Sequence, residues 1–296
     1  MSPLPRRVAV ALAAPLALGL ALTACTGGDH RSEPEPSGPE LRTDDSQDFA
    51  GQRYVAMGDS YTAAPGVEPV DGASGQCGRS EANYPRLVQG AFGGSELVDV
   101  SCSGATTNDL VAAQQLAGGS VPAQIDAVTA DTDVVTISTG GNDFGAFALL
   151  AGDCDGGGCA NLDIATVQQG LAEVEENLAG VIGTVRQRAP EARVLVIGYP
   201  QVAPSGDGCD DVPFDSQAVG LVRLLNRELA NTQERAAEAA GAEFVDLWAA
   251  TEGHALCSDE PWINGGDSEG AAPYHPLAAE QRAAAVAIVR VLDSVR

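Results

Sequence analysis

Five short runs of apolar and β-branched residues punctuate the chain: Tyr54–Met57, Leu97–Ser101, Asp133–Ser138, Arg193–Gly198 and Glu243–Leu247. Their hydrophobicity is nearly continuous rather than alternating, which suits strands buried on both faces, as in a parallel sheet. Helical periodicity fills the intervals. One pattern runs from about Val167 to Arg188, with Leu171, Val174, Leu178, Val181 and Val185 at spacings of three and four. A second spans roughly Asp215 to Ala240. A third closes the chain from Pro276, with proline near the first turn and Leu277, Ala284, Ile288, Val291 and Val295 on one helical face. Strand alternating with helix predicts a doubly wound α/β sandwich, whose site lies at the carboxyl ends of its strands.

The N-terminus breaks this pattern. Arg6 and Arg7 precede an apolar run from Val8 to Leu22, and Leu22-Thr23-Ala24-Cys25 has the form of a lipobox, in which the cysteine is acylated after cleavage. The run is too short and too rich in alanine for a membrane span, so residues 1–24 are expected to be a lipoprotein signal peptide; an ordinary secretory signal is the plainer alternative. Residues 25–52 are polar and rich in Gly, Pro and Glu, and are expected to form a lipidated, disordered tether. The rest, 53–296, is of a size that one α/β domain often reaches.

Charge narrows the partners. Sixteen Arg (there is no Lys) face 41 acids, for a net −25. Loss of residues 1–24 removes two Arg and no acid, giving 14 − 41 = −27. So acidic a surface argues against nucleic acid and against electrostatic docking on anionic lipid. Attachment to a membrane would come from the lipid on Cys25, on the outer face of the cell membrane, or the protein is released outside the cell. Nothing in the pattern calls for an obligate oligomer, and a monomer is expected. With Cys25 set aside, six cysteines remain, an even number that suits disulfides in an exported chain and leaves their pairing open. The run Asp153-Cys154-Asp155-Gly156-Gly157-Gly158 superficially resembles a calcium loop but lacks its ligand spacing and terminal Glu. No metal or cofactor is expected.

Candidate chemistry follows the first three strands. Gly58-Asp59-Ser60-Tyr61-Thr62 places a serine on a strand-to-helix turn, where its hydroxyl is exposed beside a helix N-terminus. The second run ends in Ser103-Gly104-Ala105 and the third in Gly140-Gly141-Asn142-Asp143. A glycine N–H and an asparagine amide are suitable donors to the oxyanion of acyl transfer. Each of these residues has a plain structural explanation as a turn or cap, but three after three successive strands make a pattern. A base is needed, and the histidines are His30 in the tether, His254, and His275 just before the last helix. Trp262 and Ile263 are candidates for an acyl pocket or, more simply, for core packing.

Taken together, Ser60 in Gly-Asp-Ser, Gly104, Asn142 in Gly-Gly-Asn-Asp and His275 resemble, in order, the four blocks of the SGNH/GDSL hydrolase superfamily, and especially its secreted actinobacterial esterases and lipases. The resemblance implies a three-layer α/β/α fold with a five-stranded parallel, flavodoxin-like sheet, and cofactor-free hydrolysis of small-molecule or lipid esters. It implies Ser60 as nucleophile, His275 as general base, and an oxyanion hole of the Ser60 N–H, the Gly104 N–H and the Asn142 amide. Many members carry an aspartate three residues before the histidine, where this chain has Ala272. The expectation is therefore a dyad, with the Ala272 carbonyl orienting the ring and Asp267 as the alternative partner. The resemblance also implies the disulfides Cys77–Cys102, Cys154–Cys159 and Cys209–Cys257. Other outcomes compatible with the same residues are a carbohydrate O-deacetylase or acyltransferase at the cell wall, or a non-catalytic surface binding lipoprotein.

Overall fold

In the computed structural model the apolar runs become strands of one sheet. Residues 51–93, 95–145, 163–206, 208, 209, 212, 216–266 and 269–294 are described, and all of them fall within the compact unit Pro36–Arg296. The signal-peptide assignment, the tether assignment up to residue 50 and the Cys154–Cys159 pair lie outside the described residues.

The strands are β1 (Arg53–Gly58), β2 (Glu96–Asp99), β3 (Gln114–Leu116), β4 (Gly119–Val121), β5 (Val134–Ser138), β6 (Arg193–Ile197) and β7 (Glu243–Val245). Five of them form a sheet in the order β2-β1-β5-β6-β7, and every pairing in it is parallel. The helices are α1 (Ser60–Ala63), α2 (Tyr84–Ala91), α3 (Ile164–Arg188), α4 (Ser216–Ala240), α5 (Leu247–Ala250) and α6 (Ala278–Asp293).

Side chains of a strand alternate between faces, and here both faces are covered. Val55 and Met57 of β1 and Val135 and Ile137 of β5 pack under Leu178, Ile182 and Val185 of α3 and Ala236 and Ala237 of α4. On the opposite face Tyr54, Ala56 and Leu195 meet Tyr84 and Val88 of α2 and Ala284, Ile288 and Leu292 of α6. Each Val, Leu, Ile or Met side chain among them, fully buried, contributes about 1.5–3 kcal/mol. The result is the three-layer α/β/α sandwich that the resemblance implied. Gly58 of β1 is in register with Ser138 of β5, so the segments leaving these neighbouring strands start level with one another.

Three local departures have physical causes. α3 begins at Ile164 rather than Val167 because the Asp163 carboxylate accepts from the Ala165 N–H (3.0 Å) and the Thr166 hydroxyl (2.8 Å), capping a first turn whose opening residues are exposed. α6 begins at Ala278 rather than Pro276: Pro276 pairs with Ile263 in an isolated bridge, and Leu277 is still extended at φ −80°, ψ 170°. The antiparallel hairpin β3–β4 was not anticipated, although its Gly118-Gly119 step is a hairpin signal. Cys77–Cys102 and Cys209–Cys257 are both bonded, as expected.

Candidate active site

The nucleophile turn is built where β1 stops. The Asp59 N–H crosses to the Ser138 carbonyl of β5 (3.0 Å), and the Asp59 side chain caps α1 by accepting from the Tyr61 N–H (2.8 Å). The chain must turn tightly here: a Cβ at Gly58 would lie 2.6 Å from the Ser138 carbonyl oxygen, so only glycine fits. Ser60 opens α1 with its side chain in the wall of a cavity.

His275 meets Ser60 from the other side. Its Nε2 lies 2.8 Å from Ser60 Oγ, and its Nδ1 lies 2.7 Å from the Pro273 carbonyl oxygen. A carbonyl only accepts, so Nδ1 carries the ring proton and Nε2 is left to accept from the serine hydroxyl. This corrects the expectation for Ala272. Its carbonyl closes the turn by accepting the His275 backbone N–H (3.1 Å), and the next carbonyl along, that of Pro273, reaches the ring. Asp267 lies outside the described residues. Burial pushes the His275 pKa below its usual value, with the Pro273 bond pulling weakly the other way. The imidazole is therefore neutral at neutral pH, the form that takes a proton.

The loops after β2 and β5 close the third side. The Cys102 N–H bonds to the Gly58 carbonyl (3.0 Å), and the Ala105 N–H turns back to the Cys102 carbonyl (3.1 Å), leaving Gly104 between them at φ 78°. No hydrogen bond among the described residues engages the N–H of Ser60 or of Gly104. The Asn142 amide donates to the Ala105 carbonyl (3.0 Å), which ties the two loops together and leaves its second N–H for the cavity that Asn142 lines. Asp143 reinforces this join by accepting from the Thr107 N–H (3.0 Å) and hydroxyl.

Several residues that support the site went unnoticed in the sequence. Tyr61 donates its hydroxyl to the Tyr274 carbonyl (2.9 Å), its ring 5.4 Å from that of His275. Tyr199, buried after β6, donates to Asp59 and accepts from the Gly141 N–H (2.8 Å). Burial raises the Asp59 pKa to about 7, against the lowering effect of the Tyr199 and Tyr61 bonds. None of these has a local sequence signal, because their partners are main-chain atoms or residues far along the chain.

The cavity has a volume of about 550 Å³. Ser60, Asn142 and His275 sit in its wall, and Val202, Val212, Val219, Val222 and Leu256 form an apolar flank. Trp262 does not line it: it packs on Ala279 and Ala283 and stacks on His254, ring centroids 3.5 Å apart. Ile263 packs behind Val202 and Leu256. His254 is bonded to the Glu260 carbonyl (2.9 Å), away from the site. Among the described residues no cluster of three His, Cys, Asp or Glu could hold a metal ion. The calcium-like run lies outside them.

A serine hydroxyl held by a half-buried, neutral imidazole at the strand ends of an α/β/α sandwich defines a serine hydrolase. A profile of the GDSL-like lipase/acylhydrolase family matches residues 56–283, and the chain belongs to that family. It is 35% identical to a protein named Lipase 2 from Streptomyces coelicolor over 248 residues, 77% of this chain and 82% of the relative. Among solved structures it is similar to an extracellular lipase from Streptomyces rimosus, at 29% identity and a TM-score of 0.68 over 81% of this chain and 99% of that one. A phospholipase A1 from Streptomyces albidoflavus is similar at 30% identity and a TM-score of 0.68, over 82% of this chain and 99% of that one. The protein is a carboxylic ester hydrolase.

Proposed function

We propose that Ser60 is the nucleophile and His275 the general base of this hydrolase, and that it acts on lipid esters whose acyl chain enters the apolar flank of the cavity. The observation that carries the reading is the 2.8 Å contact between Ser60 Oγ and His275 Nε2. His275 takes the hydroxyl proton as Oγ attacks the ester carbonyl; the proton passes to the leaving alkoxide as the C–O bond breaks. Water activated by the same ring then hydrolyses the acyl-enzyme. The free N–H groups of Ser60 and Gly104 and the second Asn142 N–H are suited to receive the oxyanion. The Pro273 carbonyl stabilises the imidazolium, so the machinery is a dyad. Lipid esters are favoured by the apolar flank and by the names of the relatives, lipase and phospholipase A1.

The protein is, in this reading, an exported monomer held at the outer face of the cell membrane by a lipid on Cys25. The lipobox supports this, as do two disulfides suited to an oxidising compartment. No helix among the described residues is long and apolar enough to cross a membrane. Hydrolysis of p-nitrophenyl esters from acetyl to hexadecanoyl, beside a Ser60→Ala variant, tests the reading. Activity on the longer esters that vanishes in the variant is expected; activity that survives it removes Ser60 from the mechanism. Fatty-acid labelling lost in Cys25→Ser tests the anchor.

A further inference from the structure

Tyr199 occupies a position that hydrolysis by a dyad does not by itself require. Its hydroxyl is one oxygen shared between two loops: it donates to the Asp59 carboxyl and accepts from the Gly141 N–H at 2.8 Å. Asp59 immediately precedes Ser60 and caps the helix that Ser60 opens. Gly141 immediately precedes Asn142. All of this is buried, Asp59 to 1% exposure and Tyr199 to 2%. Tyr199 is in turn pinned from behind. Its own N–H bonds to Gln233 Oε1 (3.0 Å), and Gln233 Nε2 donates to the Thr139 carbonyl (2.9 Å), at the start of the same loop as Asn142. The ring also stands edge-on to Tyr61, centroids 5.1 Å apart.

We propose that Tyr199 is a positioning residue for ester hydrolysis: its hydroxyl sets the turn bearing Ser60 against the loop bearing Asn142, so that nucleophile and oxyanion donor are held in one frame. The inference rests on the roles given above to Ser60 and Asn142. Phenylalanine at 199 keeps the ring and its packing but removes the partner of one Asp59 carboxyl oxygen, whose other oxygen keeps the Tyr61 N–H, and the acceptor of the Gly141 N–H. The two loops then relax independently, and a misplacement of about 1 Å at a reacting centre costs on the order of 10²-fold in rate. The acyl flank of the cavity is untouched, so ground-state binding survives.

The test is kcat and KM on p-nitrophenyl butyrate for Tyr199→Phe, Asn142→Ala and the double variant, each expressed per site titrated with a fluorophosphonate. Tyr199→Phe is expected to lower kcat about 10²-fold with KM little changed, and to add almost nothing once Asn142 is gone, because the two act through one geometry. Multiplicative losses in the double variant, or a lowered melting temperature with kcat per site intact, would overturn the inference. Full kcat in Asn142→Ala would instead remove the oxyanion assignment beneath it. Should Tyr199→Phe not fold, Asp59→Asn serves: it keeps the acceptor for the Tyr61 N–H but leaves the Tyr199 proton without one. A fall in kcat at constant KM supports the relay, and unchanged kcat overturns it.

Discussion

The turn that carries Ser60 and the loop that carries His275 converge on one 2.8 Å contact but are held in different ways. The Ser60 turn grows out of regular structure. Gly58 is clasped on both backbone groups by the Gln124 side chain (2.7 and 2.9 Å), Asp59 is tied to β5, and all of β5 and all of β1 after Arg53 are buried. The His275 loop belongs to no strand of the sheet; it is bonded to α1 through the Tyr61 hydroxyl and runs into α6. Asn264 N–H bonds to the His275 carbonyl (2.8 Å), Tyr274 N–H to that of Gly265 (3.1 Å), and Tyr274 sits at φ 61°. Its ring partner is a main-chain carbonyl rather than a carboxylate. One half of the dyad is thus fixed by the sheet, and the other by a chain of single hydrogen bonds.

Breaking either half outright has the largest effect. His275→Ala is expected to lower kcat on the order of 10⁶-fold, as when one member of a coupled nucleophile–base set is lost; a loss under about 10²-fold on a p-nitrophenyl ester would mean that another base operates. Asn142→Ala, on the side the sheet organises, is expected to cost about 10²–10³-fold in kcat. The pH profile separates the halves further. The base must be neutral, and burial lowers its pKa, so activity present at neutral pH is lost only as pH falls through a value below the usual 6.5 or so. An acid limb of kcat/KM above that value would indicate a carboxylate beside the ring.

Smaller effects probe the His275 loop. Tyr61→Phe removes the hydroxyl bond to the Tyr274 carbonyl and should cost about 1 kcal/mol of stability, a fall of about 2–4 °C in Tm for a domain of this size. No change in Tm would mean that the loop is held without it. Asp267→Ala should leave activity nearly intact, whereas a loss on the order of 10⁴-fold, as when a triad acid is disabled, would make the dyad a triad.

The same contrast explains what could be read from the sequence. Buried parallel strands need unbroken apolar runs, so β1, β5 and β6 were legible almost to the residue, and Ser60, Gly104 and Asn142 were legible because each follows a strand end. His275 could be found because so few histidines compete with it. The partner of its ring could not, since every residue has a carbonyl and only the turn closed by Ala272 decides that Pro273 faces the imidazole. Tyr199 and Tyr61 were invisible for a related reason: an aromatic position looks like core packing, and what matters in each is one hydroxyl oxygen. The hairpin β3–β4 was missed because its strands are only three residues long.

The most direct test of the dyad is labelling of the folded protein with a fluorophosphonate, followed by peptide mapping. One adduct on Ser60, absent from Ser60→Ala and formed far more slowly in His275→Ala, is the predicted result. No adduct on a folded, ester-cleaving enzyme, or an adduct on another residue, would contradict it.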